Sequence, residues 1–579
     1  MSYLMKVLPL VRLVLFIVST VGTWEFLRRK TGVSKYFIPA LAAGLQSLAV
    51  ILLGGLGLLV PAAYAVLAFG LVAAGLIVWR DKDLSILEPY TDGAFTLVFV
   101  FTAAFAVFCW ESRFGHWDSF VHWGIVVKNM FQTGRLPNAA DTFLTHWAYP
   151  LGSAAYLYYW VQTVMYSEPV MMIAQAFLMT AAILPLYGIA REHKKAGLVV
   201  LVLAIDFFFA FLNYPTELLV DMLLALSFGM TLVYLYRYAR EAENTKALYL
   251  AAVPLTMLMQ IKSSGTLFCV IAVLFLLGWA KQYGKLKQRL IVAAVPFASL
   301  GLWKLYLSFA FAGAKSAKHG MSVAGFREVF GEKSQRTVGI ITEKFVKFAV
   351  TRRDFWLVFA FLLLLGLCIF LFAKRLRKLW AKCAVFSAGL YFVYSVGLLG
   401  MFLFSMPEGE ALNLAGGERY INTVVAVLAY LLFALLLRTV AECETRRFLR
   451  MGLCLVSVGF TFLMLNKGHA IGTSAFRAIY NEDRIWLNLI VKENGLTERD
   501  AGGYTLLTPE KFDRNMLQYV FMTDRCSVKK IDTAETTLTP GQCYGTILVR
   551  DPEDPEIKAW VAQYFPGSVG KSVIVNDAR

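Results

Sequence analysis

The stretch Phe355–Ala373, FWLVFAFLLLLGLCIFLFA, carries no charge and ends against Lys374-Arg375-Leu376-Arg377-Lys378. At 1.5 Å per residue, a helix of this length suits the roughly 30 Å hydrocarbon core of a bilayer. A basic run closing such a segment marks the cytoplasmic side. Comparable apolar runs lie near 8–26, 37–59, 62–79, 93–110, 169–190, 196–214, 217–237, 247–262, 265–280, 289–312, 383–405, 420–438 and 450–466, so about fourteen segments qualify. Composition points the same way, with 58% hydrophobic and 16% charged residues over 579 positions. That excludes a string of soluble domains and a disordered or collagen-like chain. The net charge of +17 would raise nucleic acid as a partner of a soluble protein, but here it fits cytoplasmic loop charge, and no nucleic-acid partner is expected.

Basic loops orient the spans: Arg28-Arg29-Lys30 with Lys35, Arg191 with Lys194-Lys195, Lys281/Lys285/Lys287/Arg289, Lys374–Lys378 and Arg446-Arg447 are expected inside. Alternation then holds only if 148–166 does not cross. Its Tyr156, Tyr158, Tyr159 and Trp160 suit a juxtamembrane helix whose rings bury their bodies and keep their tips wet. Residues 1–27 show no small-residue cleavage site before Arg28 and are expected to be an uncleaved first span. Segments 111–168, 313–353 and everything after about 467 then face outward. From Ile471 the pattern turns to mixed polarity, with turn signals at 501–503 and 539–541 and a strand-like Thr546–Val549, as in a small α/β domain. Its Cys526 and Cys543 are the two outward cysteines, expected as a disulfide, with two free thiols the even alternative.

The expected fold class is therefore an all-α polytopic membrane protein of about fourteen helices, with juxtamembrane helices in the first large outward loop. Residues 1–92 form a three-helix extension, 93–468 a transmembrane core and 469–579 the extracytoplasmic α/β domain.

An ionisable group at mid-bilayer costs about 2.5–3.5 kcal/mol even on lenient scales, so intramembrane charge points to an aqueous cavity. Glu217, Asp221, Lys262, Lys304 and Arg419 all fall in the outward half. Snorkelling and local ion pairing account for any one of them; together they predict an outward-facing polar cavity. The loop Glu111-Ser-Arg-Phe-Gly-His116-Trp-Asp118-Ser-Phe-Val-His122-Trp-Gly-Ile-Val-Val-Lys128 is the richest segment. On a helix, Asp118 and His122 share a face, and Trp123, Val127 and Met130 form a stripe that suits a membrane surface. The plainer reading makes Asp118 an N-cap; the functional one makes it a carboxylate over the cavity. Tyr149-Pro150-Leu151-Gly152 opens the next helix, and Arg419-Tyr420 enters a late span.

A long first outward loop with an acidic residue, a Tyr-Pro-x-Gly helix start and an Arg-Tyr entering a late span resemble the GT-C glycosyltransferases, integral-membrane enzymes using polyprenyl-phosphate sugar donors. The run Trp117-Asp118-Ser-Phe-Val-His122-Trp123 is similar to an Asp-Glu-Phe-x-His-Trp pattern of bacterial members. The resemblance covers 93–438. It implies Asp118 as general base, Lys262 and Arg419 on the donor phosphate, and Asp221 with Glu217 on the acceptor side. His122, Lys128, Tyr149 and Tyr420, within the same motifs, are implied on the substrate side. Many members pair two acidic residues where this chain has Asp118-Ser119, which counts against a carboxylate-bound metal and leaves Glu111 as a rival base.

The implied reaction moves a sugar to a hydroxyl of an envelope glycan, lipid or polymer, in an inverting step on the extracytoplasmic side of the cell membrane. A carboxylate takes the hydroxyl proton, and cations such as Lys262, Lys304 and Arg419 stabilise the departing phosphate. Fixed cations can stabilise a monophosphate leaving group, so no metal cofactor is demanded, and no pair among His116, His122, His146 and His319 has a spacing familiar for zinc. In 313–353, Lys315, His319 and an amphipathic run from Phe326 to Val350 predict a lid over the headgroup or, equally, a charged loop on lipid. A flippase for a lipid-linked sugar is the rival from another class, disfavoured because no internal repeat is visible. A polysaccharide polymerase or ligase is the other, disfavoured by few outward arginines.

Overall fold

The computed structural model describes residues 3–82, 85–190, 192–211, 216–313, 323–442, 447–464, 481–531 and 538–576. Among the described residues each apolar segment expected to span is mainly helix, and ten helices are long and apolar enough to cross a membrane, the architecture of a multi-pass membrane protein. Gly93–Cys109, Thr245–Ile261 and Met451–Met464 are apolar but shorter. Lys194–Phe211 carries Lys194, Lys195 and Asp206. Large apolar side chains such as Trp79, Val107, Leu274, Phe309 and Val385 are exposed on the outside of the bundle, as side chains solvated by lipid would be. Three helices form its centre. Glu168–Ile189 is buried over the whole of its most apolar window, Gly417–Glu442 over 83% and Asp221–Ala239 over 72%, against 22% for the peripheral Leu286–Ala310.

Small residues set one close crossing. A Cβ on Gly22 would lie 2.1 Å from the Gly70 carbonyl oxygen, and one on Gly70 2.1 Å from that of Ser19, so Tyr3–Thr31 and Leu59–Asp81 touch backbone to backbone. The first three helices are built into the core rather than appended to it. Ser47 donates to the Gly152 carbonyl at 2.5 Å, and a Cβ on Gly44 would meet Val253 at 2.8 Å.

At one end of the bundle, the fully buried Arg289 donates to the carbonyls of Ala239, Arg240, Leu276 and Gly284, tying the ends of two helices to the start of a third. Nearby, Asn244 donates to the Thr31 carbonyl, and Lys285 to the Thr245 hydroxyl at 3.2 Å. Asp221 begins the helix whose far end carries Ala239, so the site described below lies at the opposite end.

The wet aromatic tips expected for 148–166 are a correction. Gly152–Thr163 spans 12 residues, about 18 Å, too short to cross, yet it is embedded in protein. Tyr156, Tyr158 and Tyr159 are buried rather than wet at their tips, and Phe16 packs on Tyr159 and Trp160. Trp123, Val127 and Met130 do not rest on a membrane either: all three are buried. The bundle lies beneath them and the C-terminal domain packs on the same segment from outside, with Gln518 donating to the Phe143 carbonyl at 2.7 Å.

In that domain β1 (Tyr504–Thr508), β2 (Cys526–Lys530), β3 (Thr546–Val549) and β4 (Val573–Val575) form one sheet in the order β2-β1-β3-β4. β1 is parallel to β2 and β3, and β4 antiparallel to β3. This order overturns the expected disulfide: Cys526 and Cys543 are both free and buried. Cys526 starts β2 and Cys543 leads into β3, with β1 between them. Strands two places apart lie about 9–10 Å from one another, beyond the roughly 7 Å that a disulfide tolerates between Cα atoms.

Candidate functional site

The residues Phe114–His116 run across the end of the bundle as a strap with no regular structure of its own, ahead of a helical start at Trp117, so its backbone donors need partners. Two buried carboxylates supply them. Glu168, at the start of the central helix Glu168–Ile183, accepts from Phe114 N at 2.7 Å. Glu217 accepts from Gly115 N at 2.6 Å, His116 N at 2.9 Å and the Ser119 hydroxyl at 2.6 Å. The His116 Nδ1 in turn accepts from Asp118 N at 3.1 Å. A wide turn over Ser119–Trp123 follows, in which Gly124 N bonds back to the Ser119 carbonyl, and the chain continues into the helix Gly124–Thr133. Turns of this i→i+5 kind inside helices are frequent at functional sites.

Asp118 precedes that turn but does not cap it; its side chain accepts no hydrogen bond from the turn. Instead its carboxylate pairs with Arg419 from the central helix Gly417–Glu442. Arg419 Nε also lies 3.3 Å from Asp221, and Asp221 accepts from Lys262 Nζ at 2.6 Å. Lys262 sits just past the helix Ala252–Ile261 with extended backbone, which turns its side chain toward Asp221. The Tyr420 ring is shared by the two cations, 4.7 Å from Lys262 Nζ and 5.2 Å from the Arg419 guanidinium. Four charges thus alternate in sign, Asp118, Arg419, Asp221, Lys262, which is how charge persists at the end of an apolar bundle.

The network lines a cavity of about 590 Å³. Its wall is aromatic around Asp118, with Trp117, His122, Trp123, His146 and Tyr149, and acidic at Glu410 and Glu418. His122 is buried between Trp123 and Tyr149, at 4.2 and 4.9 Å between ring centres, and burial holds its pKa well below the ordinary histidine value, with His146 adding to the effect. The opposite rim is the segment 405–416, where Gly416 adopts φ +69° and a Cβ would press within 3.0 Å of the Tyr420 ring. Lys333 holds that segment by donating to the Leu403 and Met406 carbonyls, and Glu408 accepts from Thr337 at 2.7 Å. The amphipathic helices Val323–Gly331 and Gln335–Val350, within the expected lid, therefore carry a wall of the cavity without lining it.

Of the residues singled out from sequence, Asp118, His122, Tyr149, Asp221, Lys262, Arg419 and Tyr420 come together around this cavity, although they come from five separate stretches of chain. Others do not line it. Glu111 is exposed beyond the strap, and Lys304 points outward from Leu286–Ala310. Glu217, implied on the acceptor side, is the brace behind the strap. Lys128, implied as a substrate ligand, is turned into the C-terminal domain, where it donates to the Tyr519 and Val520 carbonyls at 3.0 Å and pairs with Glu498 at 2.8 Å. Burial lowers its pKa, and Glu498 opposes that shift. Lys315 and His319 lie outside the described residues.

Sequence reasoning missed Glu168, Arg484, Glu410 and Glu418. The one signal for Glu168 was Ser167-Glu168-Pro169 at a helix start, which reads as capping alone, and Ser167 does cap Val170 N. Among the described residues no three His, Cys, Asp or Glu converge as a metal-binding group. Compared with protein families, with curated proteins and with solved structures, the chain matches none.

Proposed function

We propose that the chain is a membrane glycosyltransferase of the GT-C kind, moving a sugar from a polyprenyl-phosphate donor to a hydroxyl acceptor on the extracytoplasmic side. The observation that supports this reading is the pairing of Asp118 with Arg419, beside Lys262, at the end of an apolar bundle. A lipid phosphate brings its tail to the bundle and its headgroup to the cavity, and needs cations at that level. The acceptor oxygen attacks the anomeric carbon, its proton passes to the Asp118 carboxylate, and the bond from anomeric carbon to phosphate oxygen breaks with its electron pair on the phosphate.

Arg419 lies between base and leaving group. As Asp118 gains a proton its hold on Arg419 weakens, while the phosphate gains the charge that Arg419 can then meet, so the guanidinium keeps an anionic partner throughout. Asp221 keeps both cations in place before donor arrives.

The test uses full-length protein with a panel of polyprenyl-phosphate sugars and envelope glycans as acceptors, following release of polyprenyl phosphate. Asp118→Asn keeps the shape and removes the base, so turnover falls by roughly 10²–10⁴ with donor binding retained. Arg419→Ala weakens donor binding and turnover together. Unimpaired transfer by Asp118→Asn sinks the assignment of the base. Passage of lipid-linked sugar across vesicles with no transfer in any variant favours the flippase instead.

A further inference from the structure

Glu168 has a second set of partners on its other oxygen. Oε1 accepts from Arg484 Nη2 at 2.7 Å and from the Tyr519 hydroxyl at 3.1 Å, both from the C-terminal domain, while Oε2 holds Phe114 N. The Arg484 guanidinium lies 5.0 Å from the Tyr519 ring centre, and Arg484 is 5% exposed. Its Nε and Nη1 have no hydrogen-bond partner among the described residues, so Glu168 is what holds this buried cation. From Phe114 the bonds run on without a gap: Gly115 and His116 to Glu217, Asp118 N to His116, and Asp118 to Arg419. The domain thus reaches the strap at Phe114, four residues before Asp118, through the Glu168 carboxylate and through the Tyr519 ring, 6.1 Å from that of Phe114.

We propose that Arg484 of the C-terminal domain is a positioning residue for Asp118, acting through Glu168 on the backbone of Phe114. The function of Asp118 rests on the transferase reading above; the coupling itself does not. Without Arg484, Glu168 is a buried carboxylate with the Tyr519 hydroxyl as its remaining partner on Oε1. It then takes up a proton or draws in water, and either weakens its hold on Phe114 N. From Phe114 to His116 the strap has no helix or strand to fall back on, so slack at Phe114 reaches His116, whose Nδ1 holds Asp118 N at the start of the helical stretch. The C-terminal domain is therefore part of the site's scaffold although none of its described residues lines the cavity.

The experiment compares full-length Arg484→Gln, Arg484→Lys and Tyr519→Phe with a control, Lys558→Gln, which breaks the pair with Glu553 elsewhere in the same domain. Tyr519→Phe removes a single hydroxyl and keeps the question open to test should Arg484→Gln fail to fold. Hydrogen exchange of peptides covering 113–120 is expected to quicken by about tenfold in Arg484→Gln and less in Arg484→Lys and Tyr519→Phe, with no change in Lys558→Gln. In donor-transfer kinetics kcat falls by about tenfold in Arg484→Gln while KM for donor stays within about twofold, because Lys262 and Arg419 are not displaced. Unchanged exchange in Arg484→Gln and Tyr519→Phe overturns the coupling. Faster exchange with normal kcat reduces Arg484 to a structural contact and overturns its positioning role. A wild-type chain that transfers no sugar sinks the transferase reading alone, since the exchange result stands without it.

Discussion

Asp118 and Arg419 are 301 positions apart in the chain, and each looks ordinary where it stands. An Asp before a helical turn is a common cap, and an Arg at the start of a span commonly snorkels. Their pairing removes both readings, because the carboxylate that was free to cap the turn meets a guanidinium instead. His122 makes a prediction of its own. Its folded pKa lies well below the ordinary 6.5, so its contribution to stability is intact above about pH 6.5. That contribution is lost as pH falls from there toward the folded value, because the unfolded chain takes up a proton that the folded one refuses. Each such group gives a slope of about 1.4 kcal/mol per pH unit in that window. Thermal unfolding of the purified protein between pH 7.5 and 5 is expected to show a shallower decline for His122→Phe than for wild type; equal slopes place the acid sensitivity elsewhere.

Among the elements, the crossing of Tyr3–Thr31 and Leu59–Asp81 leaves no room for a side chain. Gly70 faces the backbone of Ser19, whereas Gly75, five residues along the same helix, has nothing within 4 Å of an added Cβ. Gly70→Ala is expected to cost about 1–3 kcal/mol through overpacking, since a carbonyl oxygen cannot turn aside as a side chain can. Gly75→Ala leaves the unfolding temperature near that of wild type. Equal midpoints for the two variants in thermal unfolding would remove the backbone contact as the cause. Apolar runs and their basic ends located these helices well, since a span needs only length and hydropathy. The helix Gly152–Thr163 shows what that reading misses. Its aromatic composition matches a membrane surface and a protein interior equally, and only its neighbours, Ser47 and Phe16, decide between them.

For the whole molecule, the contact between the C-terminal domain and the strap puts the cavity, the segment Phe114–Thr133 and the sheet at one end of the bundle, with Arg289 and its carbonyls at the other. Impermeant thiol reagents applied to intact cells are expected to reach cysteines placed at the exposed positions Glu111 and Lys571 alike and to miss one placed at the exposed Lys287. Labelling at Lys287 together with Glu111 would contradict the two-ended arrangement. Labelling at Lys287 alone would invert it, placing the cavity on the cytoplasmic side and removing the need for a lipid-linked donor.

The sequence by itself determined that the chain is a multi-pass membrane protein with a small mixed domain at its end, because the hydrophobic effect and the length of a span act on local composition. It also marked most of the charged residues around the cavity, because charge within apolar helices is costly unless water or a partner meets it. What it left open is which of those charges meet. Glu217 and Asp221 lie four residues apart, yet one braces the strap from behind and the other, at the start of its helix, separates two cations in the cavity. Lys128 sits in the same motif as Asp118 and serves the C-terminal domain. Nor did spacing place β1 between Cys526 and Cys543. These outcomes depend on direction and distance between segments far apart in the chain, and those are set by packing, which no local pattern encodes.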